Sequence, residues 1–491
     1  IERQTDGALA VAGLPPLPGV AQPAPGAPAV SLPAVSLLAV SLPAALPALV
    51  VSDATVTFID RAVHGAPRTL ALTKVAARVG PAAGAALPFT VAADLDPAGR
   101  VQAEGGLQRG ADNALSGIDA QVKADGVDAH TVLGYLAALT PGGAVAVAEG
   151  GLVLAATIAG SLPDGLSGHV ALTLPSGSVD WDGVRVTAPI AVQTAFAGAP
   201  GNPSLSDGKV QAAQLGGPRF TATQLDAAFA FAGNTLQLTA ARASAYGGAW
   251  TQHGTVELAN PPRFTIALQA DGVDCNALLT AVTGQVPQFG CERFSAAAQV
   301  HGPWTGAARA VQDASGSGQL EMRGGTIPSS SIIAALWQAL VPLVDVHAKP
   351  HDFGAPTRIE RVSESFTLHG GRMDTTDLSV ITDDYHVTGR GSVSLDGALA
   401  LDTEVAMTPN GITKLLIMAD LPVPAGGTSL PPIPTRITGT LADPTIIPEA
   451  SQLPVAAVRV LFQGARGAGE VLKDAAGSGV KALREGFDRM W

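Results

Sequence analysis

"ALQADGVDCNALLTAV" spans Ala267 to Val282, and "QVKADGVDAHTVLGYL" spans Gln121 to Leu136. A looser third version, "TEVAMTPNGITKLLIM", runs from Thr403 to Met418. In each, an alternating apolar strand ends in a turn and gives way to one short helical turn rich in Leu or Val. The strands that follow are cued alike, "LSGHVALTLPSGSV" after the first copy and "SGSGQLEMRGGTI" after the second. A period of about 150 residues is too long for a small solenoid unit. The expectation is an elongated β architecture built by duplication, whose function lies in a surface.

Working outward, strand signals recur from Leu49 onward, separated by Gly, Pro, Asp and Asn. Phe264, Ile266, Leu268 and Ala270 alternate with Thr265, Ala267 and Gln269. Leu399, Leu401, Thr403, Val405 and Met407 alternate with Ala400, Asp402, Glu404 and Ala406. One apolar face and one small or polar face is the pattern of an antiparallel sheet with a single covered side. Short punctuation predicts hairpins and meanders instead of βαβ crossovers. The fold class expected is mainly β: an elongated, lengthwise-curved antiparallel groove with a few short helices and a C-terminal amphipathic helix.

Five segments follow from this reading. Residues 1–48 are an Ala/Pro-rich low-complexity linker. Residues 49–328 form the first part of the β region, 329–353 a helical insertion, and 354–453 the second part. Residues 454–491 form an amphipathic helix. Asp128 and Asp274 are placed to cap the helical turns. In "SSSIIAALWQALVPLV" (Ser329 to Val344), Ile333, Leu336, Trp337 and Leu340 share one side. In the terminal helix, Leu461, Phe462, Leu472, Leu483 and Phe487 fall near helical spacing, and Trp491 ends the chain. Its six Lys or Arg against four Asp or Glu reverse the sign of the whole molecule. It is read as covering one end of the groove, lying on a membrane surface or contacting a partner, with packing on its own sheet as the default.

Composition narrows the function classes. Only 14% of residues are charged and 4% aromatic, so a compact enzyme core is a poor fit. Mean hydropathy of +0.29 argues against disorder. A net charge of −12 with no basic, aromatic-interleaved stretch argues against nucleic acid. Cys275 and Cys291 lack a CxxC partner, which speaks against zinc. A disulfide between them and two buried free thiols are both compatible with the sequence.

The chain begins with Ile, so an amino-terminal signal or anchor is expected to be missing from it. Val30 to Val51 is long and apolar enough to cross a bilayer, but Pro33, Pro43 and Pro47 favour a linker. No nucleophile elbow, P-loop, HExxH or dinucleotide fingerprint is present, and no enzyme, metal or cofactor is expected. Asp345, His347, His351 and Asp352 form the best metal-like cluster, but Pro350 breaks the helix that would align the histidines. "TDDYH" (Thr382 to His386) lacks an EF-hand loop and reads as a turn between strands.

The order of several degenerate motifs resembles the AsmA family of bacterial envelope proteins, relatives of TamB. "FTLHGGRMDTTDLSVITDDYHVTGRGSVSLDGALALDTEVAMTP" (Phe366 to Pro409) is similar to that family's succession of strands with G-G, D-L and G-x-G punctuation. "PTRITGTLADPTIIPE" (Pro434 to Glu449) resembles its closing element. "SGQLEMRGGTI" (Ser317 to Ile327) and "LVVSDATVTFID" (Leu49 to Asp60) also fit, so the likeness covers Leu49 to Trp491. The transmembrane helix usual at the family's amino terminus is expected to belong to the missing start.

The resemblance implies a periplasmic groove, tethered to the inner membrane, that shields or transfers phospholipids between the two membranes. Outer-membrane or assembly proteins would be further partners, and a structural role in outer-membrane protein biogenesis is the alternative function. The residues expected to line the groove are Phe220, Leu236, Leu238, Phe264, Ile266, Leu268, Phe366, Leu368, Val393, Leu395, Leu399 and Leu401. Ordinary core packing is the competing explanation for each.

Overall fold

The computed structural model describes residues 48–449 apart from short connections and the longer stretches 134–146, 345–355 and 419–429, together with 2–3 and 9–10. Most of the Ala/Pro-rich start, the Asp345–Asp352 cluster and the terminal amphipathic helix lie outside the described residues.

The chain is mainly β, as its alternation predicts. Twenty-three strands, β1–β23, belong to one open sheet, and two-residue strands at Glu2–Arg3 and Leu9–Ala10 bring its total to 25. Every pairing described among β1–β23 is antiparallel. Glu2 and Arg3, inside the stretch read as linker, pair in parallel with Ile59 and Asp60. The chain divides into two compact units.

The first unit draws on β1 (Leu49–Asp60), β2 (Arg68–Val79), β3 (Ala86–Asp96), β4 (Arg100–Arg109), β5 (Leu115–Asp128), β6 (Val147–Glu149), β7 (Gly151–Ser161) and β8 (Gly165–Leu174). It continues through β9 (Ser178–Trp181), β10 (Val184–Gly198), β11 (Ser204–Gly217), β12 (Phe220–Ala232), β13 (Thr235–Ala245) and most of β14 (Gly248–Glu257). Hairpin partners follow one another along the chain. The exceptions are that β7 pairs with β5 and β10 with β8, while short β6 and β9 pair beside the start of β10. The two-residue loop Gly233–Asn234 joins Ala232 to Thr235, with Gly233 at φ +59° as a tight hairpin requires.

The second unit takes residues from β15 (Arg263–Asp274) and β16 (Gly290–Pro303), with the helix α1 (Cys275–Thr283) between them. The helix α2 (Ala307–Asp313) precedes β17 (Ser315–Ile327), and α3 (Ile332–Val344) lies within the stretch read as a helical insertion. Then come β18 (Thr357–His369), β19 (Arg372–Thr382), β20 (Tyr385–Ser394), β21 (Ala398–Met407), α4 (Pro409–Met418), β22 (Ile433–Thr440) and β23 (Pro444–Pro448). From β17 to β23 each strand pairs with the next. No helix among the described residues is long and apolar enough to cross a membrane.

All three copies of the opening block fold alike. Asp128 accepts from the Thr131 amide at 2.8 Å and caps helical residues 129–133. Asp274 accepts from the Ala277 amide at 2.9 Å and caps α1, which Gly284 ends in a left-handed turn. Thr408 does the same for α4 through Gly411 at 3.2 Å. The DGVD glycines share a left-handed conformation, φ +65° at Gly126 and +64° at Gly272.

The cap residue also ties back to an earlier hairpin. The amide N–H of Asp128 donates to Ala98 O, that of Asp274 to Tyr246 O, and that of Thr408 to Asp384 O. Those turns come close because glycine lets them. A Cβ at Gly99 would stand 2.8 Å from Val127 Cα, and one at Gly248 would stand 2.6 Å from Val273 Cα.

Helices cover one end of the apolar side of the second unit. Ile333, Leu336, Trp337 and Leu340 of α3 pack with Ile412, Leu415 and Leu416 of α4 over Tyr385, Val387, Val405, Met407 and Ile433. In the first unit Val132 and Leu133 of the helical turn pack on Val127, Leu152 and Leu174.

Candidate functional site: an apolar sheet face

Because side chains alternate across a strand and paired residues share a face, the register maps each face directly. In the first unit one line of paired residues runs Ala93–Val101–Ala124–Leu154–Leu172–Val192–Val210–Ala227–Ala241. Nine strands contribute and every position is apolar. Successive strands lie about 4.8 Å apart, so the line is on the order of 40 Å long. The adjoining line on the opposite face includes Gln102, Lys123, Gln193 and Lys209. Away from the helical turn, Phe89, Val91, Ala103, Val122, Ala156 and Val170 stay half-buried, and among the described residues no second layer seals them.

In the second unit the equivalent line is Met322–Val362–Val380–Val387–Val405–Ile433. Two further lines lie beyond it on the same face. One carries Gly318, Phe366, Thr375, Gly391, Leu401 and Ile437, the other Gly316, Leu368, Met373, Val393, Leu399 and Gly439.

These lines place the residues singled out from sequence. Leu236 pairs with Phe231 and Leu238 with Phe229, all half-buried on the apolar face. Phe220 pairs with Gly217 at the strand start and is 38% exposed. Phe264 is buried, its ring edge-on to Trp304 at 6.2 Å between centroids, and Ile266 and Leu268 continue its alternation at half-burial. Phe366, Leu368, Val393 and Leu399 share the face with Leu401, and Leu395 closes a turn through its amide to Gly371 O at 2.9 Å. Leu401 is packed against Ile359, Val362 and Leu378, and like Phe264 it belongs to the core more than to an open lining.

Sequence reading passed over one regularity. Four phenylalanines on this face each pair with a glycine: Phe89 with Gly105, Phe196 with Gly168, Phe229 with Gly208, and Phe366 with Gly318. In three of them the ring lies across its partner, reaching 2.6 Å from where a Gly208 Cβ would stand, 2.6 Å at Gly318 and 2.9 Å at Gly168. In each of the three, the ring occupies space that a side chain on the facing residue would need, which is why glycine stands there. No local signal carries this, because each pair depends on register between strands.

Glu364 was also passed over. It pairs with Leu320, between the Phe366–Gly318 and Val362–Met322 pairs, and so stands on the apolar face. Burial, with Asp377 adding to it, pushes its carboxyl up to about 7. Period-two counting through Val362, Phe366 and Leu368 would have found it.

Polar groups elsewhere are structural. Cys275 and Cys291 form a disulfide with 5.5 Å between Cα atoms, both buried, joining the start of α1 to the start of β16. The Thr382–His386 segment is the β19–β20 turn, as expected. Its Asp384 is fully buried and accepts from Thr357 Oγ1 at 2.6 Å, Asn410 Nδ2 at 2.7 Å and Lys414 Nζ at 2.5 Å. Lys414 meets this carboxylate as an ion pair. A depression on the polar face gathers Asp271, Glu321 and Asp377, and the Leu320–Glu364 pair, whose alternation sets it on the other face, also borders it. Ser295 donates to Asp271 at 2.9 Å and Arg323 pairs with Glu321 at 2.7 Å, while the Ser365 amide holds the Asp377 carboxyl below the usual range. Among the described residues no group of three or more His, Cys, Asp or Glu is arranged to hold a metal ion.

The fold and site define an open antiparallel sheet protein with one apolar face. No family model, curated protein or solved structure matches the chain.

Proposed function

We propose that this protein binds the acyl chains of phospholipids on its apolar sheet face and shields or transfers them in the bacterial periplasm. The observation that carries the reading is the nine-strand line from Ala93 to Ala241, apolar at every position, with Val101, Leu154, Leu172, Val192 and Val210 half-buried and the alanines of the line buried. Each methylene removed from water there gains roughly 0.8 kcal/mol, without a specific headgroup contact. A uniform lining lets a chain occupy successive positions at similar energy. The buried Cys275–Cys291 disulfide suits an oxidising compartment such as the periplasm. The AsmA-like motifs support the same compartment, with tethering to the inner membrane.

Support for outer-membrane proteins through strand addition is the second reading. It has less in its favour, because Pro444 and Pro448 bound β23, which pairs with β22 alone among the described residues. A proline offers no N–H to an added strand.

Solvent extraction of purified protein followed by mass spectrometry tests the first reading. Co-purifying phospholipid is expected, reduced severalfold in Leu154→Asp and Val192→Asp and retained in Gln193→Asp on the opposite face. Absence of lipid, together with no binding of added phospholipid, overturns it.

A further inference from the structure

The alternation of β18 runs Val362, Glu364, Phe366, Leu368 on the apolar face. The other charged side chains of β17–β23 stand on the polar face or at bulges. A carboxylate among leucines, methionine and phenylalanine is costly unless a partner neutralises it. What faces Glu364 offers no such partner. Across β17 stands Leu320, flanked by Gly318 and Met322. Across the β19 bulge stand Thr375, Leu378 and Asp377, and Asp377 is itself anionic and already accepts from Ser365 at 2.8 Å and Thr375 at 3.2 Å. The nearby cations are engaged elsewhere or turned away. Arg323 pairs with Glu321, Arg372 with Asp374, and Arg361 lies opposite Arg323 on the polar face. Among the described residues no hydrogen bond or ion pair reaches the Glu364 carboxylate.

We infer that Glu364 receives the ammonium group of an amine-bearing amphiphile whose alkyl chain lies on the apolar face of the second unit. The inference rests on the reading of that face as an acyl-chain surface and adds headgroup selection to it. The lining gives the tail uniform positions, and Glu364 supplies a charged point at which one end is fixed. An ammonium there gains a charge-assisted hydrogen bond in a poorly hydrated setting. A carboxylate or phosphate headgroup without an amine meets repulsion. The raised carboxyl value of Glu364 agrees with a desolvated acid that lacks its cation.

The test uses the full chain and three probes of equal length, dodecylamine, laurate and dodecanol, at about pH 8, where amine and laurate are both charged. Displacement of a bound fluorescent fatty acid reads affinity. Wild type is expected to prefer the amine to laurate by about tenfold, the size of one charge-assisted hydrogen bond. Glu364→Gln should erase that preference and leave dodecanol unchanged. Glu404→Gln, on the polar face, should keep it, which separates a local contact from attraction to the acidic molecule as a whole. An unchanged preference in Glu364→Gln, or an equal loss in Glu404→Gln, overturns the inference while leaving the acyl-chain reading intact. If dodecanol and both charged probes fail to bind, the acyl-chain reading falls and this inference with it. Glu364→Leu with an unaltered unfolding profile guards against a folding artefact, and it too should lose the amine preference.

Discussion

Lys414 Nζ lies 2.5 Å from Asp384 Oδ2, which joins helix α4 to the turn between β19 and β20. The carboxylate is fully buried and the lysine mostly so. Thr357 and Asn410 complete its coordination, so three segments of the chain (the start of β18, the β19–β20 turn and α4) meet at one charge.

Removing the lysine leaves a buried carboxylate with two neutral donors. Lys414→Met is expected to destabilise the second unit by about 3 kcal/mol, the usual result of breaking a buried pair from one side. Urea unfolding followed by Trp337 fluorescence measures it, since Trp337 packs in the cluster that α4 covers. A change under about 0.5 kcal/mol would show that water replaces the ammonium at no cost.

The disulfide closes a loop with a sequence separation of 16. Its loss is expected to lower stability by about 3 kcal/mol. Thermal melts with and without reductant should differ for wild type and coincide for the Cys275→Ala, Cys291→Ala double variant. Equal melts for wild type would contradict the expectation.

Phe229 and Gly208 form the tightest of the ring-over-glycine pairs in the first unit. Gly208→Ala should force the ring off its partner and cost about 1–3 kcal/mol. Adding Phe229→Leu should recover most of that loss, so the double-mutant cycle gives a coupling of at least about 1 kcal/mol. Additive effects would mean that ring and glycine do not interact.

Glu364 gives the fold a pH dependence of determined sign. Its folded-state value, about 7, exceeds the ordinary 4.5. Between those values the folded chain holds a proton that the unfolded chain has released, so stability falls as pH rises. Wild type should therefore lose stability relative to Glu364→Gln across about pH 4.5 to 7. Parallel melting curves over that window would refute this.

Local pattern carried the fold a long way. The alternation of Leu399 to Met407 marks the buried face of β21, and Asp128 and Asp274 cap helices as their positions suggest. Phe366, Leu368, Val393 and Leu399 meet on one face because period-two counting works within each strand. Depth is another matter. Nothing local distinguishes buried Phe264 and Leu401 from half-buried Leu236 and Leu238, since burial depends on what crosses above. The Phe–Gly pairs and the Asp384–Lys414 contact join residues distant in sequence, so neither could be read without register. The side of the sheet that Glu364 takes follows from period-two counting through Val362 and Phe366, whereas its lack of a partner depends on the strands beside it.

The cap residues Asp128, Asp274 and Thr408 each send an amide back to a hairpin already laid down. Each block is thereby held to a turn that comes before it in the chain, so this one contact needs nothing from further along. Such a segment behaves as a self-registering cassette. The side on which each strand presents its apolar residues is then fixed from within the block by its own turn and cap.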